Sequence, residues 1–258
     1  MAEQNLNPLV SVVMPAYNAE RFIAKAIESV LNQTIQDFEL IVVDDCSKDA
    51  TASIAEEYAA RDSRVKLLKN EQNLRVAGTR NRALEVCRGE YVALLDSDDI
   101  WYPDKLEKQI ALAKKENADI VYCSYALIDE MGEKSRNDFI VPDKTDFEHL
   151  LQSNVIGCST VMITGEIARN YRFSETWFHE DFVLWLRLLQ EGKKAVGLTE
   201  VQVDYRVYSG SKASNKLKSA KYRWRIYREA LEFSRWKSAG YFVRYAVSGF
   251  LKYRGKLR

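Results

Sequence analysis

The sequence predicts a doubly wound α/β fold with a mostly parallel central sheet, and three observations predict it. Short apolar runs rich in β-branched residues recur between Leu9 and Tyr125. Segments with apolar residues at helical spacing lie between them, so strand and helix alternate. Acidic residues also follow the strand ends, where sheets of this kind bind their ligands.

The elements follow in order. Leu9 to Met14 reads as a buried strand ended by Pro15. Ala19 to Gln33 places Phe22, Ile23, Ala26, Ile27, Val30 and Leu31 on one helical face. Phe38 to Val43 is a second buried strand. Asp49 or Thr51 can cap a helix that runs to Arg61. Val65 to Leu68 is a third strand, and Ala77 to Cys87 a helix with Gly89 as its stop. Tyr91 to Leu95 is a fourth strand, Pro103 opens a helix to Asn117, and Ile120 to Tyr125 is a fifth strand. Beyond it the pattern loosens. Asp129 to Gly132 reads as a turn, Cys158 to Ile163 and Val201 to Val207 as strands, Phe178 to Gln190 as a helix, and the residues from Ser211 as one or two basic helices.

Composition narrows the class. Of 258 residues, 47% are hydrophobic and 29% charged, which fits a globular chain and excludes a disordered one. Met1 to Pro8 has no apolar core of a signal peptide, and no apolar run reaches the ~18 residues that span a bilayer. The expectation is a cytoplasmic protein. Cys46, Cys87, Cys123 and Cys158 show no paired spacing, so reduced thiols are expected rather than disulfides or a zinc site. Lys212 to Arg258 holds 14 Lys and Arg against two acids, a local +12. The net charge is only +1, so the remainder carries −11. An acidic body joined to a basic tail implies an anionic partner.

Three acidic clusters stand out: Asp44-Asp45, Asp96-Ser97-Asp98-Asp99 and Glu180-Asp181. Carboxylates crowded at a buried edge repel one another unless a cation or a donor-rich ligand relieves them. The Asp96-x-Asp98 spacing suits a hard cation completed by water and phosphate, Mg²⁺ or Mn²⁺. Asp96 to Asp99 could equally cap the next helix or form a turn. Asp44-Asp45 could cap the following helix or accept hydrogen bonds from a nucleobase or ribose. Two such clusters on strands of one sheet would converge on one crevice.

Val12 to Asn18, Ile27 to Thr34 and Phe38 to Ser47 resemble the family 2 glycosyltransferases of the GT-A fold. So do Asn73, Gly78, Arg80, Asn81 and Ala83; Asp96 to Asp99 with Pro103 and Lys105-Leu106; and Glu180-Asp181 with Trp185 and Leu188. The likeness runs from Leu9 to Tyr208. Asn154 to Cys158 and Ser214 to Lys216 add a narrower likeness to enzymes of teichuronic acid, capsule and O-antigen assembly. The resemblance implies a catalytic domain over 1–210, with a donor half at 1–125 and an acceptor half at 126–210, and a basic helical extension over 211–258. It implies that Pro15, Ala16, Tyr17 and Asn18 line a uridine pocket, that Asp45 accepts from uracil with help from Asp44, and that Arg80 approaches the base or diphosphate. Asp96 and Ser97 would face the donor, Asp98 with Asp96 would hold Mn²⁺ or Mg²⁺, and Asp181 would be the general base of a single inverting displacement, with Glu180 the alternative. The implied donor is a UDP-sugar and the implied acceptor a saccharide hydroxyl, on a lipid carrier or a growing cell-surface polysaccharide.

The sequence departs from the family at three places. Tyr208 stands where many members place a His, Cys46 replaces a common Gly or Asn, and Ala220 replaces the Gln that precedes Arg223-Trp224 in processive members. Single addition is therefore expected. Trp224, Trp236, Tyr241, Phe242 and Tyr245 interleave with Lys and Arg in the tail, which suits contact with an anionic membrane surface; packing on the catalytic body is the other reading, and a nucleic-acid partner is not expected. A sugar nucleotidyltransferase is disfavoured because Ala16 to Glu20 has no Gly-rich basic phosphate loop. A non-catalytic binding protein would not need Asp98 and Asp181.

Overall fold

The computed structural model describes residues 7–135, 137–208 and 216–253. The polar N-terminus up to Leu6, the onset of the tail at Ser211 and Ser214-Asn215 lie outside the described residues. The elements are β1 (Val10–Ala16), α1 (Ile23–Leu31), β2 (Phe38–Asp44), α2 (Thr51–Arg61), β3 (Val65–Lys69), α3 (Arg75–Val86), β4 (Tyr91–Leu94), β5 (Ile100–Trp101), α4 (Lys105–Glu116) and β6 (Ile120–Ile128). Then follow β7 (Lys144–Thr145), α5 (Phe147–Gln152), β8 (Met162–Thr164), α6 (Gly165–Asn170), α7 (Glu180–Gln190), β9 (Ala195–Arg206), α8 (Lys216–Arg225) and α9 (Arg235–Tyr253).

The strands form one mixed sheet in the order β3-β2-β1-β4-β8-β6-β9-β5, with β7 beside β9. β3, β2, β1 and β4 are parallel, as the βαβ alternation requires. β8 runs antiparallel between β4 and β6 and joins that parallel block to the β6–β9 pair. Alternation along each strand divides its residues between two cores. Val13, Ile41, Val43, Val92 and Leu94 face α3, α7 and the C-terminal helices, whereas Val12, Met14, Leu40, Val42 and Ala93 face α1, α2 and α4. Ile226 and Tyr227, in a π-helical turn after α8, are fully buried in the first core, and the Tyr227 hydroxyl donates to the Leu151 carbonyl.

Two expectations change. Cys158 to Thr160 is a 3₁₀ turn rather than strand, and β8 begins only at Met162. The turn is held because the Ser159 hydroxyl accepts from Asp96 N–H (3.0 Å) and its carbonyl accepts from Trp101 Nε1 (2.8 Å). Gly89 is not a left-handed helix stop, since α3 ends at Val86 and only Gly132 and Gly192 among described glycines have positive φ. Its requirement is close approach: a Cβ there would lie 2.5 Å from the Ser11 backbone nitrogen.

Candidate active site

Parallel strands deliver their carboxyl ends, and the loops after them, to one edge of the sheet. β1 delivers Pro15 to Asn18, β2 delivers Asp44 and Asp45, and β4 delivers Asp96 to Asp99. There they border a cavity of about 460 Å³ lined by Pro15, Ala16, Tyr17, Asn18, Asp45, Arg80, Asp96, Ser97, Asp98 and Glu180. Two of the expected residues do not line it. Asp44 is buried beneath, its Oδ2 accepting from Ser47 N–H (3.2 Å) in the turn after β2. Asp181 is half-buried on the first turn of α7, beside Glu180.

The nucleoside side of the cavity is a set of locked turns. Asn18 has φ +48° and Cys46 has φ +65°, both left-handed. Lys48 N–H donates to Asn18 Oδ1 (2.8 Å), and Asn18 N–H donates to Ser47 Oγ (3.0 Å), tying the two turns together. The left-handed backbone gives the physical reason that Gly or Asn is the usual occupant at Cys46. Asp45 Oδ1 accepts from Asn70 Nδ2 and from Leu74 N–H, both at 2.7 Å, fixing the loop that leads into α3. Tyr17, 51% exposed, stands at the mouth.

The opposite wall is a buried charge network. Arg80 is 3% exposed. Its Nη1 donates to Glu180 Oε1 at 2.7 Å and its Nη2 to Asp96 Oδ1 at 2.5 Å, while its plane lies over Phe173. Opposite charges around it raise its pKa further although burial opposes this. The resemblance implied that Arg80 approaches a base or diphosphate; in this structure its Nη1 and Nη2 donate to carboxylates from α7 and from the loop after β4. Burial and the charge of Asp96 push the Asp98 carboxyl up to about 6, against hydrogen bonding from Tyr208. Asp99 is also pushed up by burial and by Asp98 and Asp96; its Oδ1 accepts from Arg206 N–H (2.7 Å). Arg206 Nε donates to the Asp98 carbonyl (2.8 Å), so β9 braces the acidic loop.

The donors at this wall fit a hard cation. Asp96 and Asp98 bring carboxylate oxygens to the cavity, Asp96 with its Oδ1 on Arg80 and Asp98 beside that charge. Among the described residues no three His, Cys, Asp or Glu are grouped to hold a metal, so diphosphate and water would complete the shell, as Mg²⁺ and Mn²⁺ allow.

Sequence reasoning missed several lining residues. Tyr208 is not one of them, since the sequence placed it where many members have a His; it lines the cavity, packs its ring 5.6 Å from that of Phe22 and bonds to Asp98. Thr79 and Arg75 also line the cavity. Arg75 opens α3 with φ +59°, and a cation two residues after Asn73 at a helix start was the available signal.

This mixed sheet with an acidic cleft at the ends of its parallel strands defines a GT-A glycosyltransferase fold. The chain belongs to glycosyl transferase family 2, whose model matches residues 11–174. It is 38% identical over 248 residues to the Bacillus subtilis protein TuaG, assigned to teichuronic acid biosynthesis, covering 96% of this chain and 98% of that one. It is 37% identical over 247 residues to the Escherichia coli UDP-Glc:alpha-D-GlcNAc-diphosphoundecaprenol beta-1,3-glucosyltransferase WfgD, covering 95% of each. Among solved structures, S. aureus TarS 1-349 with UDP-GlcNAc superposes at a TM-score of 0.70 and 20% identity, over 92% of this chain and 71% of that one. The mannosyltransferase PcManGT of Pyrobaculum calidifontis, with GDP-Man and Mn²⁺, gives 0.69 at 18% identity, over 91% and 68%. Among the described residues no helix is long and apolar enough to cross a membrane.

Proposed function

We propose that this family 2 glycosyltransferase is an inverting, metal-dependent enzyme that moves a sugar from a UDP-sugar to a hydroxyl of a lipid-linked or growing cell-surface polysaccharide. The observation that carries this is the convergence of Asp45, Arg80, Asp96, Asp98 and Glu180 on one cavity at the strand ends. Residues 1–125 form the donor half, 126–210 the acceptor half and 211–258 the basic extension. The UDP-Glc and diphosphoundecaprenol in the printed name of WfgD support the donor and acceptor class. The Mn²⁺ in the PcManGT complex supports the metal.

Each side chain then has a task. Tyr17 offers its ring to the base, and Asp45, whose Oδ1 is taken by Asn70 and Leu74, offers Oδ2 to the uracil N3–H. Asp44 sets the turn beneath them. Asp98, with Asp96, would hold Mn²⁺ or Mg²⁺, which when bound would supply positive charge to the departing diphosphate. Arg80 holds Asp96 and Glu180 in place from below. Glu180 is thereby held as an ion-paired carboxylate, its Oε1 taken by Arg80 Nη1. We assign the base to Asp181, on the same helical turn, with the cavity-lining Glu180 the alternative; it takes the proton of the acceptor hydroxyl as that oxygen attacks the anomeric carbon. The site of action is the inner face of the cell membrane, where a lipid-linked acceptor is reached from the cytoplasm.

The test is release of nucleotide from UDP-, GDP- and dTDP-sugars with Mn²⁺, Mg²⁺ or EDTA. Metal-dependent release from a UDP-sugar, lost in Asp98→Ala and reduced by roughly 10²-fold or more in Asp181→Asn, is expected. Nucleotide binding that neither EDTA nor Asp98→Ala alters, with no turnover, would refute it and favour a binding protein.

A further inference from the structure

α9 has two apolar sides, and the fold covers one. At 100° per residue, Ser238, Tyr241, Phe242 and Tyr245 share one side. That side is packed: Ser238 is fully buried, Tyr241 lies against Tyr227 and Phe233, Phe242 against Trp224, and Arg223 is stacked between Phe182 and Tyr245 at 3.5 and 4.8 Å. Trp236, Gly240, Val243 and Val247 fall within about 60° of arc on the opposite side, by the same helical rotation. There Trp236 is 89% exposed, Val243 60% and Val247 52%. These are three of the seven large exposed apolar side chains among the described residues, and they form one stripe rather than scattered positions.

Charge decides what the stripe fits. Lys237 and Arg244 flank it on one side and Arg235 on the other, all exposed. The helix carries no acidic residue, and the Lys212 to Arg258 segment that contains it has a local charge of +12. An apolar stripe centred on a Trp and bordered by cations matches the boundary of an anionic bilayer, where the apolar residues enter the acyl edge and the cations meet phosphate headgroups. A protein partner of ordinary composition would leave those cations uncompensated.

We infer that the exposed face of α9, built on Trp236, Val243 and Val247 with Arg235, Lys237 and Arg244, docks this protein on an anionic lipid surface. The helix lies along the membrane rather than through it. Through Arg223 its covered side touches Phe182, the residue after Asp181, so docking sets the side of the cleft from which the acceptor hydroxyl arrives. The inference uses the proposed lipid-linked acceptor for its purpose and not for its evidence.

The experiment is vesicle co-sedimentation of the full chain, with phosphatidylcholine vesicles alone or mixed with phosphatidylglycerol. Binding to the mixed vesicles, weaker by about tenfold or more on pure phosphatidylcholine and lowered by salt, is expected. W236S/V243S/V247S should lose at least about tenfold of that binding while keeping its melting temperature and its donor hydrolysis, because all three side chains project from the fold. Unchanged binding by the triple variant, or no binding by the parent chain, overturns the inference. So does light scattering that shows a dimer which the triple variant dissociates, since the face would then belong to a second copy. Vesicle binding without turnover would leave the docking face standing and sink the transferase reading; turnover without vesicle binding would do the reverse.

Discussion

Replacing Arg80 by Met tests the charge network most directly. The substitution keeps length and apolar packing over Phe173 but removes both hydrogen bonds, to Glu180 at 2.7 Å and to Asp96 at 2.5 Å. Glu180, as buried as Arg80, is then left without this cation, whereas Asp96 is partly exposed and can recover water. Removing one partner of a buried pair costs about 3–5 kcal/mol, and most of that falls on the Glu180 side. For a chain of this size each kcal/mol shifts Tm by roughly 2–4 °C, so a fall of about 6–20 °C is expected by calorimetry. Glu180→Gln alone leaves Arg80 with Asp96 and should cost less, about 1–2 kcal/mol. The double variant Arg80→Met/Glu180→Gln should recover at least about 1 kcal/mol relative to additivity, because the stranded charge is gone. Activity should not recover in it, since Asp96 has still lost its tether. A Tm within 2 °C of the parent for Arg80→Met, or an additive double variant, would refute the account of Arg80 as the central buried cation.

Two further outcomes are expected. Lys105 is fully buried, with Nζ donating to Gln109 Oε1 (2.7 Å) and 3.9 Å from the Trp101 ring centre, and burial pulls its pKa down to about 8. The unfolded chain, titrating near ~10.4, binds more protons between those values, so this residue adds stability as pH rises from 8 to 10 and adds least below 8. Lys105→Met should therefore raise Tm at pH 7 by an amount worth about 2–3 kcal/mol and lose that advantage near pH 10; a gain that does not vary with pH would contradict it. Cys46→Gly relieves a left-handed non-glycine worth about 1–2 kcal/mol and adds unfolded-state entropy worth about 0.5–1 kcal/mol, for a small net rise in denaturation midpoint.

Local pattern carried the first half of the fold because β1, β2 and β4 are buried on both faces and carry apolar runs such as Leu40-Ile41-Val42-Val43. It failed at Cys158-Ser159-Thr160, whose conformation answers to Asp96 and Trp101, some 60 residues away in sequence. β5, two residues long, had no periodicity to show. At the site the carboxylates on strand ends were legible, since their spacing sets both chemistry and place. Apart from the resemblance, the division between Asp44 and Asp45 was not, because Asp44 ends β2 and Asp45 starts the loop after it, and only the sheet's orientation says which faces the cleft. Nor was the pairing of Arg80 with Glu180, which spans 100 positions and two helices.

Tyr227 bears on how this chain can be cut and on what a pull at its end would reach. Its ring is fully enclosed and its hydroxyl holds the backbone of α5, so a fragment stopping before it would open a ring-sized hole beneath α7. The last helices thus behave less like a detachable handle than like the keystone of an arch. A force applied to α9 is borne by the wall that carries Glu180 and Asp181, and no shorter version of the protein should be taken as its catalytic minimum.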